Sequence, residues 1–273
     1  MYKAISSIFG VGMKKHRYSY LLRLQYLGFR YSGWQKQPGQ KTVEGMLVKT
    51  LKFILPERRF KILGAGRTDA KVSALNAAFE LFLEDNPIVN EEAFITEFNR
   101  NLPPDIRILE IATVNEDFNI IHNAFMKEYV YLFSFGQKNH PFCAPMLANI
   151  LDELDVALMK RAAQIFVGTH DFSLYTARLQ EKTKVIRNIN TCEILDNNIL
   201  KADFFPKRSY SLVIEGTGFM RYQVRMIMGV LIQVGKGELT LSDIERSLVP
   251  DLNMKFDYIA PASGLLLHRL DFK

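Results

Sequence analysis

The sequence predicts an α+β protein made of two halves, and three observations carry this prediction. Apolar residues alternate with a period of two in segments such as 18–26 and 128–136, which is typical of β-strands. They recur at helical spacing in 43–54 and 155–167. Strand and helix patterns of both kinds occur on either side of a polar stretch at 115–125, so we expect the two halves to join there.

The N-terminal half is expected to span 18–115, after an N-terminal arm at 1–17. Its first strand covers 18–26, and Thr42 is a suitable N-cap for the helix that follows. The remaining elements are a strand at 59–63, a strand or a helix at 76–83, a helix at 91–101 that ends before Pro103 and Pro104, and a strand at 106–114.

The C-terminal half is expected to span 116–273 and to follow the same plan. After the strand at 128–136 and the helix at 155–167, the pattern predicts a strand at 210–216 and a long apolar helix at 219–235. A capping box from Ser242 to Glu245 predicts one more short helix, and a strand at 265–272 closes the chain.

Composition favours an anionic partner. The chain of 273 residues has 35 Lys and Arg against 29 Asp and Glu, a formal charge of +6, and 48% hydrophobic residues. This is ordinary for a globular protein, and the basic excess indicates nucleic acid first. No apolar run approaches the roughly 18 residues of a membrane span. Cys143 and Cys192 lack metal-ligand spacing, which predicts a reduced, cytoplasmic protein without a metal site.

The stretch GAGRTDA at 64–70 follows a predicted strand and allows three interpretations. It imitates the glycine-rich phosphate loop, but Asp69 stands where that loop needs Gly or Ala, and a carboxylate there would repel a pyrophosphate. It is also compatible with a tight turn in which Asp69 caps the next segment. The third interpretation is a loop that presents a catalytic carboxylate.

Six motifs in register resemble the tRNA pseudouridine synthase A (TruA) family, from about residue 18 to the end of the chain. The GRTDA sequence resembles the signature of pseudouridine synthases in general. The six motifs of the family are YLGFRYSGWQKQ (26–37), NRNLPPDI (99–106), KEYVY (127–131), GTHDF (168–172), GFMRYQVRMIMGVLIQVGKGEL (218–239) and APASGLLLHRLDF (260–272).

The resemblance implies one extended, mostly antiparallel sheet with flanking helices and a central basic cleft between the two α+β halves. It further implies a homodimer that binds tRNA, with no metal, no nucleotide cofactor and no membrane. The implied reaction isomerises uridine to pseudouridine in the anticodon arm. An RNA-binding paralogue with little activity is the alternative.

Three residues carry over from the family as the catalytic group. Isomerisation breaks the bond from ribose C1′ to uracil N1 and rejoins the base through C5, and a carboxylate suits this as nucleophile or as base. Asp69 is the expected carboxylate, and Arg225 is the arginine expected to pair with it and keep it ionised. Tyr129 is expected beside the flipped uracil, whereas Tyr131 is expected to be structural.

Further residues are expected to contact the substrate. Arg67 would fill the vacated base stack or hold a phosphate, and Leu266 would line the floor of the pocket. Trp34 is expected in the core. The candidates for the tRNA backbone are Arg23, Arg30, Lys36, Lys41, Lys207, Arg208 and Arg221.

The chain also departs from the family pattern at six positions that we expect near the cleft. The residue types that the family usually keeps are replaced by Lys71, Ser73, Ala77, Asn119, Ile121 and Glu128. The catalytic group remains intact, so these departures put substrate affinity and specificity in doubt more than the chemical step.

Overall fold

The computed structural model describes residues 17–177, 179–250 and 254–273. The predicted arm at 1–17 therefore lies outside the described residues, except for Arg17, which begins the first strand. Within the described part of the chain, no helix is long and apolar enough to cross a membrane.

Ten strands and five α-helices account for most of the described chain. The strands are β1 Arg17–Tyr26, β2 Phe60–Gly64, β3 Ser73–Glu84, β4 Ile106–Val114, β5 Ala124–Phe135, β6 Ala148–Ile150, β7 Gly168–Asp171, β8 Ile186–Asp196, β9 Tyr210–Gly216 and β10 Leu265–Phe272. The helices are α1 Val43–Ile54, α2 Glu91–Asn101, α3 Val156–Ile165, α4 Gln223–Gly235 and α5 Leu241–Ser247.

All ten strands belong to one sheet with the order β4-β1-β3-β10-β5-β9-β8-β7. Strand β2 pairs with β3 and β6 pairs with β5, each beside this main path. The pairs β3–β10 and β5–β6 are parallel, and the other described pairs are antiparallel. The α+β class and the extended, mostly antiparallel sheet are therefore confirmed.

The last strand joins the two halves. Strand β10 lies between β3 and β5, with Leu267 opposite both Ala74 of β3 and Tyr129 of β5. The loop that carries Asp69 leads directly into β3. Closing the sheet through β10 therefore brings this loop of the first half next to β5 of the second half.

The two faces of the sheet are covered differently. Residues Tyr129, Tyr131 and Phe133 of β5 belong to the main core, which also contains the apolar residues of the helices. Because side chains alternate along a strand, Val130 and Leu132 point to the opposite face. There they form a second, smaller cluster with Cys143, Leu147 and Leu266, covered by residues 199–205.

Most element boundaries agree with the sequence patterns, and the ambiguous segment 76–83 is part of strand β3. Thr42 does cap α1, because its side chain accepts a hydrogen bond from the backbone N–H of Gly45. The capping box of α5 was predicted at Ser242 and Glu245, which was wrong. It is formed by Thr240 and Asp243, two residues earlier.

The long helix of the second half begins later than its apolar pattern predicts. Helix α4 begins at Gln223, not at 219. Tyr222 has a left-handed backbone with φ of 66°, which interrupts the helix and leaves residues 219–222 as an irregular approach segment. This segment contributes side chains to the cavity described below. The GTHDF motif at 168–172 is largely strand β7, which pairs with β8.

Candidate active site

The loop that carries Asp69 is held by backbone hydrogen bonds to the segment at 26–34. The backbone N–H of Trp34 donates to the carbonyl of Thr68 at 3.0 Å, and that of Lys71 donates to the carbonyl of Tyr31 at 3.0 Å. The hydroxyls of Tyr26 and Thr68 lie 2.7 Å apart in a buried hydrogen bond. The position of Asp69 is therefore fixed by its neighbours on the chain rather than by its own side chain.

Two glycines explain why this contact needs its particular sequence. A Cβ at Gly28 would lie 1.9 Å from the carbonyl oxygen of Val72, so any side chain would push the two segments apart. Gly33 has φ of +101°, and a Cβ there would lie 2.8 Å from the carbonyl oxygen of Thr68. Trp34, buried at 2% exposure, packs nearby in the core as expected.

Asp69 lies in a cavity of about 700 Å³ between the two halves. The first half contributes residues 32, 35, 37, 66–70 and 72. The second contributes residues of β5, the 219–222 segment, the start of α4 and residue 265. The cavity contains one carboxylate, Asp69, and four cationic side chains. These cations are Arg67, Lys127, Arg221 and Arg225. The basic cleft expected from the resemblance is present.

The carboxyl group of Asp69 is more easily protonated than usual. Burial is the largest cause and raises its pKa, while the charges of Arg225 and then Arg221 oppose this rise. Burial therefore outweighs the two arginines. The site holds an anion at a cost in free energy, as is common where a carboxylate has a chemical role.

The direct pair predicted between Asp69 and Arg225 needs correction. The ion pair described for Asp69 is with Arg221, whose Nε lies 3.9 Å from Oδ1 of Asp69. Arg225 instead donates from Nε to the carbonyl of Ala260 at 2.8 Å and rests over the ring of Tyr222. Its guanidinium still attracts the carboxylate more strongly than Arg221 does. Arg225 therefore acts through its charge from a position fixed by the backbone.

Tyr129 forms an aromatic wall of the cavity. It is 8% exposed and packs edge-on against Phe219 with the ring centroids 5.3 Å apart. Burial, followed by the nearby charge of Asp69, raises the pKa of its hydroxyl, so Tyr129 keeps its proton at neutral pH. Tyr131 lies on the same face but hydrogen-bonds to the carbonyl of Pro261, which fits its expected structural part.

Other predicted contacts divide between the cavity and the rest of the fold. Arg67 and Arg221 line the cavity. Leu266 does not. It belongs to the small cluster on the opposite face of the sheet, and its neighbour Leu265 lines the cavity instead. A shift of one residue along a strand reverses the face, so the predicted pocket leucine is corrected to Leu265.

Arg23, Arg30 and Lys36 do not line this cavity. Arg23 pairs with Glu110 at 3.0 Å and donates to the carbonyl of Leu270, which ties it to the sheet. Arg30 donates twice to Asp105, at 2.9 and 2.7 Å. Lys36 is exposed, and so are Lys41, Lys207 and Arg208.

The six departures from the family pattern do not gather at the cleft, which corrects that expectation. Glu128 lies on the face opposite Tyr129, where it contacts His268 and lies 3.8 Å from Arg269. Ala77 is buried in the core. The hydroxyl of Ser73 accepts a hydrogen bond from the N–H of Gly28 at 2.8 Å. Lys71 lies over the ring of Phe29, and Asn119 and Ile121 lie in a loop.

The cavity residues that sequence reasoning missed include Lys127, Phe219 and Gln223. Lys127 precedes Tyr129 by two residues, so strand alternation places both on one face, a signal that the sequence does contain. Gln223 is fully buried, and its Nε2 has no hydrogen-bond partner among the described residues. Within those residues, no group of three or more His, Cys, Asp or Glu is arranged to hold a metal ion.

The cavity at the junction of the two sheet halves thus holds a partly buried carboxylate among cations and aromatic rings, an arrangement that suits an enzyme site. Residues 162–273 match the family model described as tRNA pseudouridine synthase. The chain is 31% identical to tRNA pseudouridine synthase A 2 of Bacillus cereus, over 93% of this chain and 100% of that protein.

Two further relatives are named tRNA pseudouridine synthase A. The chain is 30% identical to the one from Shouchella clausii, over 92% of each chain. It is 31% identical to the one from Thermodesulfovibrio yellowstonii, over 91% of this chain and 97% of that protein. The chain belongs to the tRNA pseudouridine synthase A family. It is an isomerase, and its family implies tRNA as the substrate.

Proposed function

We propose that the chain isomerises uridine to pseudouridine in the anticodon arm of tRNA, with Asp69 as the catalytic carboxylate. One observation carries the assignment of Asp69. It is the carboxylate of a basic cavity lined by both halves, and burial raises its pKa even though two arginines oppose the rise. A fold that needed only a turn residue at this position would have no reason to keep a buried charge there.

The surroundings of Asp69 suit the reaction. Arg225 and Arg221 favour the ionised carboxylate, which is the form that attacks as a nucleophile or removes a proton as a base. Tyr129 and Phe219 offer aromatic surface against which a flipped uracil can stack. Tyr129 remains protonated, so its hydroxyl can donate a hydrogen bond or a proton near C5 of the uracil.

The anticodon arm and the homodimer come from the family resemblance, and both are open to direct measurement. Light scattering of the purified protein should give about twice the chain mass of 31.4 kDa. Chemical mapping of pseudouridine in unmodified tRNA should locate the product in the anticodon arm. A monomer that is fully active at nanomolar concentration, or product confined to another arm, would contradict the corresponding proposal.

The assignment of Asp69 is tested with Asp69→Asn, which keeps the size of the side chain and removes its charge. The variant should bind tRNA and form no pseudouridine in a single-turnover assay. Asp257→Asn is a matched control, because Asp257 is exposed, pairs with Lys255 and does not line the cavity. Product formation by Asp69→Asn at a rate near that of the control would refute the assignment.

A further inference from the structure

Two cations beside the cavity have no acidic partner within the part of the chain that the structure describes. Lys127 lies on β5, two residues before Tyr129, and lines the cavity. Its Nζ donates to the carbonyl of Ala65 at 3.2 Å, in the loop that leads to Asp69. Arg187 lies on β8 and carries a buried Nε that has no hydrogen-bond partner among the described residues. None of the ion pairs described for the chain includes either residue.

The strand order explains why these two residues lie near each other. Lys127 is opposite Gly216 on the neighbouring strand β9, and Gly216 is opposite Ile189 on β8. Arg187 precedes Ile189 by two residues and therefore points to the same face, the face of the main core and the cavity. Its guanidinium reaches towards Gly218, next to the cavity residue Phe219.

The positive charges of the two side chains are electrostatically unfavourable in this arrangement. Burial is the main cause that lowers the pKa of Lys127, and the positive charge of Arg187 lowers it further. Two partly buried cations that lie close together repel each other. An anion that binds between them relieves this repulsion and lowers the free energy. The side chains of the described residues supply no such anion.

We propose that Lys127 and Arg187 together bind a backbone phosphate of the tRNA next to the uridine that enters the cavity. The nucleobase is neutral and every nucleotide carries one phosphate, so a double cation at the edge of the cavity matches the backbone rather than the base. Arg187 offers the fork of donors that suits phosphate oxygens, and Lys127 offers a compact charge with two remaining N–H donors. This inference rests on the proposal that the cavity around Asp69 receives the target uridine.

The main test uses Arg187→Gln, because no hydrogen bond of Arg187 to the described protein is lost. Binding to an unmodified tRNA transcript is measured at several salt concentrations, with Asp69→Asn as the background so that no product forms. The expected result is binding weaker by about tenfold and a salt slope shallower by about one unit. Lys160→Gln, which removes an exposed cation on α3, is the control and should leave the slope unchanged.

A second measurement identifies the phosphate. The tRNA is assembled with one uncharged methylphosphonate linkage, either 5′ or 3′ of the modified uridine. At one of these two positions, the wild type should lose affinity and Arg187→Gln should lose no more. An unchanged salt slope, or a penalty for Arg187→Gln that persists with both neutral linkages, would overturn the inference.

Lys127 distinguishes phosphate binding from a merely structural part. Lys127→Arg should keep the salt slope, whereas Lys127→Met should reduce it by about one unit. A fall in the single-turnover rate of Lys127→Met at saturating tRNA with the slope unchanged would mean that Lys127 only positions the loop through Ala65, and this would overturn its assignment. These binding results are independent of product formation, so they remain valid even if Asp69→Asn proves active and the catalytic proposal fails.

Discussion

The two halves of the molecule supply different shares of the charge in the cavity and hold these charges by different means. The first half presents one carboxylate on a loop whose backbone is hydrogen-bonded to the segment at 26–34. The second half presents most of the cations on long side chains from β5 and from the region around the start of α4. The acid is thus placed by backbone packing, whereas the cations of the second half stand at the ends of long side chains.

This difference predicts different responses to substitution. A change that disturbs the packing of the first half should displace Asp69 as a whole, because the loop and its neighbours have no room to adjust. A change in the second half should remove one charge at a time and give graded effects. The four predictions below test this contrast, beginning with the largest expected effect.

Gly28→Ala should cause the largest loss. Its Cβ would lie 1.9 Å from the carbonyl oxygen of Val72, so the loop must move. We expect unfolding to become easier by about 1–3 kcal/mol, and a displaced Asp69 to lower the rate by about 10²-fold. Chemical denaturation and single-turnover rates on tRNA measure the two effects.

The control for Gly28→Ala is Gly237→Ala at the end of α4. Gly237 has φ of +76° and no atom within 4 Å of an added Cβ, so the substitution strains the backbone without displacing the loop. It should cost about 1–2 kcal/mol of stability and leave the rate near that of the wild type. If both variants lose the same fraction of activity, the loop is not held in the way described.

Arg225→Met tests the strongest charge of the second half. Arg225 opposes the effect of burial on the pKa of Asp69, so without this charge the pKa should rise further. Because the ionised carboxylate is the active form, the loss of rate on acidification should begin at a higher pH than in the wild type. The saturated rate should fall by about 10²-fold.

The pH dependence of the single-turnover rate measures this shift. Arg225→Lys keeps the positive charge and serves as the control, since its acid limb should remain close to that of the wild type. An acid limb of Arg225→Met that coincides with that of the wild type would show that Arg225 does not influence the titration of Asp69.

The same contrast explains what could be predicted from the sequence. Asp69, Tyr129 and Arg225 sit in local motifs, and their places in the cavity follow from strands and helices with clear periodicity. Leu265 was missed in favour of Leu266 because only the register of β10 against its neighbours decides which leucine faces the cavity. No local pattern contains that information.

The approach to α4 was equally beyond local patterns. The apolar run at 219–235 predicts one helix. Tyr222 adopts a left-handed backbone, however, so the helix begins only at Gln223. This conformation lets Phe219 and Arg221 line the cavity instead of continuing the helix surface. The position of Glu128 also required the structure, because only the sheet shows it paired with His268 and Arg269 on the other face.

Arg221→Gln should have a smaller effect than Arg225→Met, although Arg221 lies within ion-pair distance of Asp69. The side chain of Arg221 is 53% exposed and its Nε is 3.9 Å from the carboxylate. Exposed pairs of this kind contribute about 0.2–1 kcal/mol, which corresponds to a rate lower by about fivefold or less. Parallel pH–rate profiles of the two variants rank them directly. A larger shift for Arg221→Gln would mean that proximity, rather than burial, decides which arginine controls Asp69.

The smallest expected effect concerns stability, because Asp69→Asn should give only a modest gain in stability at neutral pH. For an acid whose folded pKa is raised, the folded state binds more protons than the unfolded state between the two pKa values. Stability therefore falls as pH rises through this window, and the cost is fully present above the folded pKa. A neutral amide avoids the cost, so the Tm of Asp69→Asn should exceed that of the wild type by a few degrees near pH 7, and the difference in Tm should disappear in acidic buffer.

The control is Asp257→Asn, at an exposed ion pair, which should show no such gain in Tm. A lower Tm for Asp69→Asn than for the wild type at neutral pH would mean that the arginines of the second half outweigh burial, and the carboxylate would then be a stabilising part of the fold rather than a charge kept for chemistry.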